Sequence, residues 1–167
     1  MTSTFSKIRL QVVAPIFAAL YLVGGVILFG VLIGIRINTS HSMPVGFYEI
    51  KADDGISSIR RGDIVTLCLA GPGEDLAVQR QYIEPGVCMI KRIDAVPGDK
   101  LDMSKYPRLK ADHAGRSLPD PHLPAVVPAG KYLAIGDASP RSYDSRYFGL
   151  IDRSEIKHVV EPLLVNR

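Results

Sequence analysis

The sequence has no concentration of charge. Its 20 Lys and Arg residues are interspersed with 17 Asp and Glu residues, and the formal net charge is only +3. There is no run of roughly five or six like charges, and so neither a basic arm nor a basic stripe of the kind that binds phosphate backbones. These absences exclude nucleic acid as the expected partner.

Internal repeats and a long helical period are also missing from the second half of the chain. A length of 167 residues suits one domain, and 12 Pro and 15 Gly residues favour short elements joined by turns. Apolar and β-branched content predicts strands over Phe47–Lys51, Asp63–Leu69, Cys88–Val96 and Lys131–Ile135, a short helix over Glu74–Ile83, and a hairpin with irregular loops over Ser104–Gly130. The expected fold class is mostly β.

Cysteine is scarce, and histidine occurs without a motif around it. Cys68 and Cys88 could be two buried thiols, but an oxidising compartment would favour a disulfide between them, which we expect. The residues that could form a metal site or a Ser-His-Asp triad lack the required spacing: His41, His113, His122, His158, Asp112 and Asp120. We therefore expect no metal and no cofactor.

One long hydrophobic run is present. Leu10–Ile35 contains 26 residues without a charge, and such a helix would measure about 39 Å, more than the ~30 Å core of a bilayer. A cleavable signal peptide would have a shorter apolar region and a small-x-small cleavage site, which is missing. The pattern predicts a permanent anchor over residues 10–35. Lys7 and Arg9 favour a cytoplasmic tail over residues 1–9, which leaves residues 36–167 as an extracytoplasmic domain.

A lysine stands on the apolar face of a predicted strand. In Cys88–Val96, the alternation places Met89, Lys91, Ile93 and Ala95 on one side, whereas Arg92 and Asp94 share the other side and can pair there in water. Burial of an ammonium group is costly, so the pKa of Lys91 should be lowered. The alternative is a lysine whose stem packs while its amine reaches water.

Hydroxyl groups occur in two loops that could meet this lysine. Ser42 follows the apolar run, and a second loop contains Ser139, Ser142 and Ser145. A serine hydroxyl is a weak nucleophile at neutral pH, and a neutral buried lysine is a suitable base for it. Ser42 could also belong to an ordinary turn before Met-Pro.

Taken together, the motifs resemble the membrane-bound Ser/Lys signal peptidases, the type I leader peptidase clan. Ser42-Met43-Pro44 is similar to the nucleophile box of that family, and the segment from Lys91 to Asp99 is similar to its lysine box, which ends in Pro-Gly-Asp. Gly136-Asp137 and the segment from Ser142 to Gly149 are similar to the C-terminal box. The three boxes have the family's order.

Finer details resemble the TraF branch of conjugative transfer peptidases. They are the segment NTSHSMPVGFYEI around the serine, Pro140-Arg141-Ser142 in the last box, the single N-terminal span and the cysteine pair before the lysine box. The last box reads GDASPR, so the Asn and Arg that follow Gly-Asp in housekeeping leader peptidases are missing.

The resemblance implies a signal-peptidase-like β-sheet catalytic domain with one transmembrane helix, and it implies roles for individual residues. Ser42 would be the nucleophile and Lys91 the base, with Ser142 orienting the amine and Ser40 donating to the oxyanion. Supporting roles would fall to Asp144, Arg146, Gly136 and Asp137. Shallow pockets would admit small residues before the cut.

The implied substrate is a membrane-tethered precursor, in this branch a pilin precursor, which is cleaved and in some cases cyclised. The partners would be that precursor and the bilayer of the bacterial inner membrane, with the catalytic domain in the periplasm. Two alternatives stay open: a general type I signal peptidase that removes leader peptides from exported proteins, and a non-catalytic membrane-anchored factor of a conjugation or secretion assembly.

Overall fold

The computed structural model describes residues 2–51 and 58–166, with side chains for all of these except 2–12, 14 and 31. Met1 and the side chains of the predicted tail, residues 1–9, therefore lie outside the description. The chain divides into two compact units, Met1–Arg36 and Ile37–Arg167.

Helix α1, Thr2–Leu32, makes up most of the first unit. Large apolar side chains along it, such as Phe17, Tyr21 and Phe29, are exposed. Within the residues described, no helix combines the length and the apolar character needed to cross a membrane. The anchor over residues 10–35 stays a prediction.

The second unit is built on a seven-stranded sheet, and the expectation of a mostly β fold is confirmed. The strands are β1 (Ile35–Asn38), β2 (Gly46–Ile50), β3 (Ile64–Leu67), β4 (Met89–Ala95), β5 (Lys131–Ile135), β6 (Ile151–Asp152) and β7 (Ile156–Val165), in the spatial order β1-β2-β7-β3-β4-β5-β6. The β2–β7, β7–β3, β3–β4, β4–β5 and β5–β6 pairs are all antiparallel.

Strand β7 was not predicted from the sequence, although it is the longest strand described and lies between β2 and β3. Pro162 lies within this strand, and proline has no N–H group with which to donate a hydrogen bond to a sheet. The pairing of β7 with β3 ends at Val160, so Pro162 faces only Tyr48 of β2, next to an irregularity in the register. The proline is tolerated because at this position β7 pairs with β2 on one side and with no strand on the other side.

Two short helices interrupt the strands. Helix α2 covers Pro72–Gln79, starting and ending earlier than predicted. Proline is tolerated in a first helical turn, and Gln81, with φ of 59°, is left-handed, so the helix cannot continue through it. Helix α3 covers Ser145–Phe148. The region from Ser104 to Gly130 is mostly irregular, with one bridge between Ala111 and Ser117.

The two faces of β4 differ as the alternation predicts. Lys91, Ile93 and Ala95 are all buried, and Ile93 belongs to the main core together with Val65, Leu67 and Val159. The pair that Arg92 and Asp94 could form is not the one found. Arg92 instead reaches Asp137 after the neighbouring strand β5, and Asp94 accepts a hydrogen bond from Tyr106. Two residues that are two positions apart on a strand can pair with each other, but partners that the tertiary fold brings closer can take their place.

Candidate active site

The loop between β1 and β2 carries Ser42, and Asn38 organises it. The Asn38 amide nitrogen donates to the carbonyl oxygens of Ser40 (2.9 Å), Met43 (3.1 Å) and Pro44 (3.0 Å). Its oxygen accepts from the Ser40 backbone N–H at 3.2 Å. Met43 is fully buried beneath the loop, which fixes the position of the neighbouring Ser42. Sequence reasoning missed Asn38, because nothing in its local spacing points to these carbonyls.

Two serine hydroxyls meet at the top of this loop. Ser40 Oγ and Ser42 Oγ are 2.9 Å apart, and Ser40 Oγ also donates to Asn38 Oδ1 at 3.0 Å. Ser40 is exposed and Ser42 is half-buried, and both line the cavity described below.

Lys91 lies in the middle of β4, and only 1% of its surface is exposed. Its Nζ donates to Ser142 Oγ at 3.0 Å. No carboxylate among the described residues forms an ion pair with it. Burial lowers the pKa of Lys91 to about 8, opposed by the charges of Asp144 and Asp137 and assisted by that of Arg146. The arrangement shifts the protonation equilibrium of Lys91 toward the neutral amine.

The loop after β5 holds Ser142 in place through a buried ion pair. Arg146 donates through Nε to Asp144 Oδ1 and through its terminal nitrogen to Asp144 Oδ2, both at 2.8 Å. The Gly136 N–H donates to the same Asp144 Oδ2 at 3.0 Å, so the carboxylate joins the two ends of the loop. Such pairs are favourable only when their hydrogen bonds are satisfied, as they are here.

Gly136 is the point where the two serine loops come together. A Cβ atom at this position would lie 2.2 Å from Ser142 Oγ and 2.7 Å from the Ser42 carbonyl oxygen. The Ala138 N–H donates to that Ser42 oxygen at 3.1 Å. The Asp137 carboxylate lies beside this contact and accepts from Arg92 Nε at 2.6 Å. The missing side chain of Gly136 therefore permits the approach of Ser42 to Ser142.

A cavity of about 530 Å³ collects the polar groups of the site. The catalytic candidates Ser40, Ser42, Lys91 and Ser142 all line it. Its other lining side chains are largely apolar or aromatic and include Ile83, Met89, Leu109, Leu118, Tyr143 and Tyr147.

The outer wall of the cavity was not foreseen from the sequence. Asp112 accepts hydrogen bonds from the Tyr82 hydroxyl and from Arg116 Nε, the latter at 2.7 Å. The Arg116 guanidinium also lies over the Tyr82 ring, 5.8 Å from its centroid. Burial raises the pKa of the Asp112 carboxyl, but the hydrogen bonds from Tyr82 and Arg116 outweigh it and lower that pKa well below its usual range. These contacts join two loops that are distant in sequence.

Cys68 and Cys88 form a disulfide in the structure. The bridge closes the segment that contains α2 and Tyr82. It therefore ties the base of one of the two wall loops to the start of β4, the strand that carries Lys91.

The histidines are not arranged as bases for Ser42. His41 and His113 line the cavity, but neither donates to nor accepts from Ser42 in the described part of the chain. His122 lies at a separate surface depression, and Asp120 pairs there with Arg108. Among the residues described, no group of His, Cys, Asp and Glu has the geometry of a metal site.

Comparison with known proteins assigns the chain to a family. The model of the family "Signal peptidase, peptidase S26" matches residues 9–107 and 104–163. The chain belongs to this signal peptidase family, a family of serine peptidases, and the expected resemblance is confirmed.

Individual relatives come from conjugation systems and from general secretion. A plasmid transfer protein TraF of Escherichia coli is 34% identical, and the alignment covers 98% of this chain and 99% of that protein. A conjugal transfer protein TraF of Agrobacterium fabrum is 28% identical over 83% of this chain and 87% of its own. Signal peptidase I of Bacillus licheniformis is 30% identical over 60% of this chain and 56% of its own.

Among solved structures, a signal peptidase I from Enterococcus faecalis matches with 24% identity and a TM-score of 0.35. The match covers 61% of this chain and 96% of the Enterococcus faecalis chain.

Asn38→Asp should disrupt the loop between β1 and β2 that carries Ser42. The substitution keeps the shape of the side chain but sets a carboxylate oxygen against three carbonyl oxygens that now accept from the amide. We expect the free energy of unfolding in urea to fall by about 2 kcal/mol or more, together with slower acylation of Ser42. Asn166→Asp, at an exposed position, is the matched control; equal effects of the two changes would contradict the role of Asn38.

Gly136→Ala should separate the two serine loops while leaving the sheet folded. The added methyl group collides with Ser142 and with the Ser42 backbone, so peptide hydrolysis should fall by about a hundredfold or more. Gly25→Ala, in helix α1, is the control, because a Cβ there meets nothing within 4 Å and its backbone is not left-handed. The account fails if Gly136→Ala hydrolyses peptide as fast as Gly25→Ala does.

Proposed function

We propose that this protein is a membrane-anchored serine endopeptidase with a Ser42–Lys91 dyad, and that it processes a membrane-tethered precursor, a conjugative pilin. The observation that carries the proposal is the state of Lys91. Its amine is buried without a carboxylate partner among the described residues, it is hydrogen-bonded to Ser142, and it shares a cavity with Ser42. A scaffold has no physical need for such an amine.

In the proposed reaction, Ser42 Oγ attacks the scissile carbonyl carbon and Lys91 Nζ accepts its proton. With a pKa of about 8, roughly one Lys91 amine in ten is neutral at pH 7. The protonated amine then returns the proton to the leaving amine as the peptide bond breaks. The hydrogen bond from Nζ to Ser142 Oγ holds the amine at the cavity that Ser42 also lines.

Negative charge on the carbonyl oxygen needs donors while the acyl-enzyme forms. We assign this role to the Ser42 N–H and the Ser40 hydroxyl. The Ser40 hydroxyl lies against Asn38 Oδ1 and Ser42 Oγ in the resting enzyme. A rotation about the Cα–Cβ bond would release it toward the oxyanion.

The fate of the acyl-enzyme depends on which nucleophile arrives second. Water gives a linear product, whereas the amino terminus of the precursor gives a cyclic one, with Ser42 regenerated in both cases. The relatives named as plasmid and conjugal transfer proteins favour a conjugative precursor as substrate. Neither route calls for a metal or a cofactor.

We further propose that residues 10–35 anchor the enzyme in the bacterial inner membrane, with residues 36–167 in the periplasm. Support comes from the 26 uncharged residues and the basic residues before them. The disulfide between Cys68 and Cys88 also fits an oxidising compartment. A nucleophile a few residues beyond an anchor would suit a substrate held in the same bilayer.

Co-expression with the pilin precursor encoded nearest to its gene tests the proposal. We expect the precursor to lose a terminal peptide with the wild-type enzyme and to stay intact with Ser42→Ala. Intact-mass spectrometry also separates the two routes, because a cyclic product is one water lighter than the linear one. Asn166→Asp is the control for expression and folding.

Other outcomes of the same experiment identify the alternatives. Processing of leader-bearing exported proteins, with the pilin precursor left intact, would indicate a general signal peptidase. Processing of neither substrate, together with no acylation of Ser42 by an acylating inhibitor, would indicate a non-catalytic assembly factor and refute the proposal.

The pH dependence of turnover tests the role of Lys91. The base must be neutral, so kcat/KM should rise about tenfold per pH unit below the Lys91 pKa and level off above about pH 8. Lys91→Arg should be inactive across this range, because a guanidinium stays protonated. Substantial turnover by Lys91→Arg, or a flat profile between pH 6 and 8, would be incompatible with this base.

A further inference from the structure

Arg141 has a fixed backbone position beside the proposed active site. The Ser142 N–H donates to the Ser139 carbonyl oxygen at 3.1 Å, which closes a turn with Pro140 and Arg141 at its two central positions. The Arg141 N–H donates to Ser139 Oγ at 3.1 Å, a second restraint on the same residue. Arg141 therefore directly precedes Ser142, the hydrogen-bond partner of Lys91, in a constrained turn.

The side chain of Arg141 lines the cavity and is exposed. It makes no hydrogen bond or ion pair within the described part of the chain. Three other arginines of this unit are engaged: Arg92 with Asp137, Arg116 with Asp112 and Arg146 with Asp144. The guanidinium of Arg141 thus has five donors available to whatever enters the cavity.

The cavity offers Arg141 no carboxylate of its own. Asp112 is the only acidic residue among the described residues that line it. The Asp112 carboxylate already accepts from the Tyr82 hydroxyl, from Arg116 Nε and from the N–H groups of Ala114 and Arg116. A carboxylate partner for the guanidinium within the cavity would therefore come from a bound molecule.

We propose that Arg141 is a specificity-determining residue that binds a carboxylate group of the substrate close to the scissile bond. The inference rests on the proposed peptidase function and adds the chemical class of substrate to it. A guanidinium matches a carboxylate with two parallel hydrogen bonds, which favours carboxylates over neutral amides. The carboxylate belongs either to an acidic side chain or to the carboxyl terminus of a short leaving peptide.

Binding to inactive enzyme tests the inference without relying on turnover. Full-length Ser42→Ala protein in detergent is titrated with short alanine-based peptides that carry Glu, Gln or Lys at one position at a time. At the position that reaches Arg141, the Glu peptide should bind about tenfold more tightly than the Gln peptide. Adding Arg141→Gln should remove this preference, and Arg141→Glu should transfer it to the Lys peptide.

A matched control separates local recognition from the overall charge. Arg60→Glu makes the same change in net charge at an exposed arginine that does not line the cavity, and it should leave the Glu preference in place. A second set of peptides ends in either a free carboxylate or an amide. A preference for the free acid in this set identifies the terminal carboxylate as the group bound, and a preference for Glu alone identifies a side chain.

Failure of the inference is distinct from failure of the proposed function. The inference is overturned if Ser42→Ala protein fails to distinguish acidic from neutral peptides at every position and at the terminus, whether binding is strong or undetectable. It is equally overturned if Arg141→Glu keeps the original preference. The same peptides given to the enzyme with Ser42 intact report separately on cleavage, which is the test of the peptidase itself.

Discussion

Burial of one amino group is the constraint on which the rest of the site depends. An ammonium group inside an apolar sheet loses its hydration, and a nearby carboxylate would normally compensate by holding it charged. Asp144 acts in that direction on the pKa of Lys91, but both of its oxygens are engaged by Arg146. Desolvation therefore dominates, and Lys91 is left with a neutral hydroxyl, that of Ser142, as its hydrogen-bond partner.

Close approach of backbone segments is the second requirement. The two serine loops come from opposite ends of the domain sequence, and they meet only because Gly136 has no side chain. Hydrogen bonds from the Asn38 amide hold the loop that carries Ser42, and hydrogen bonds to the Asp144 carboxylate hold the loop that carries Ser142. The charged groups of Asp112 and Arg116 at the outer wall of the cavity pair with each other. Ser42, Lys91 and Ser142 thus line a cavity that has few charged side chains.

Much of this site could be predicted from the sequence alone. Alternation of side chains along β4 was enough to place Lys91 on a buried face, because the two-residue period of a strand is a local property. Order and spacing of the motifs around Ser42 and Ser142 were enough to recognise the signal peptidase family. The strands from β2 to β5 follow from local apolar and β-branched content in the same way.

What the sequence could not determine depends on partners far along the chain. Strand β7 was missed because Pro162 is acceptable only where no second strand pairs with it. From the sequence, Asp94 was a possible partner for Arg92 two residues along the strand, whereas the fold pairs Arg92 with Asp137. The hydrogen bond from the Tyr82 hydroxyl to Asp112 likewise joins residues thirty positions apart in sequence. Local periodicity determined which side chains share a face, and only the tertiary structure decided which polar groups find each other, because hydrogen bonds and ion pairs are short-ranged in space and indifferent to sequence distance.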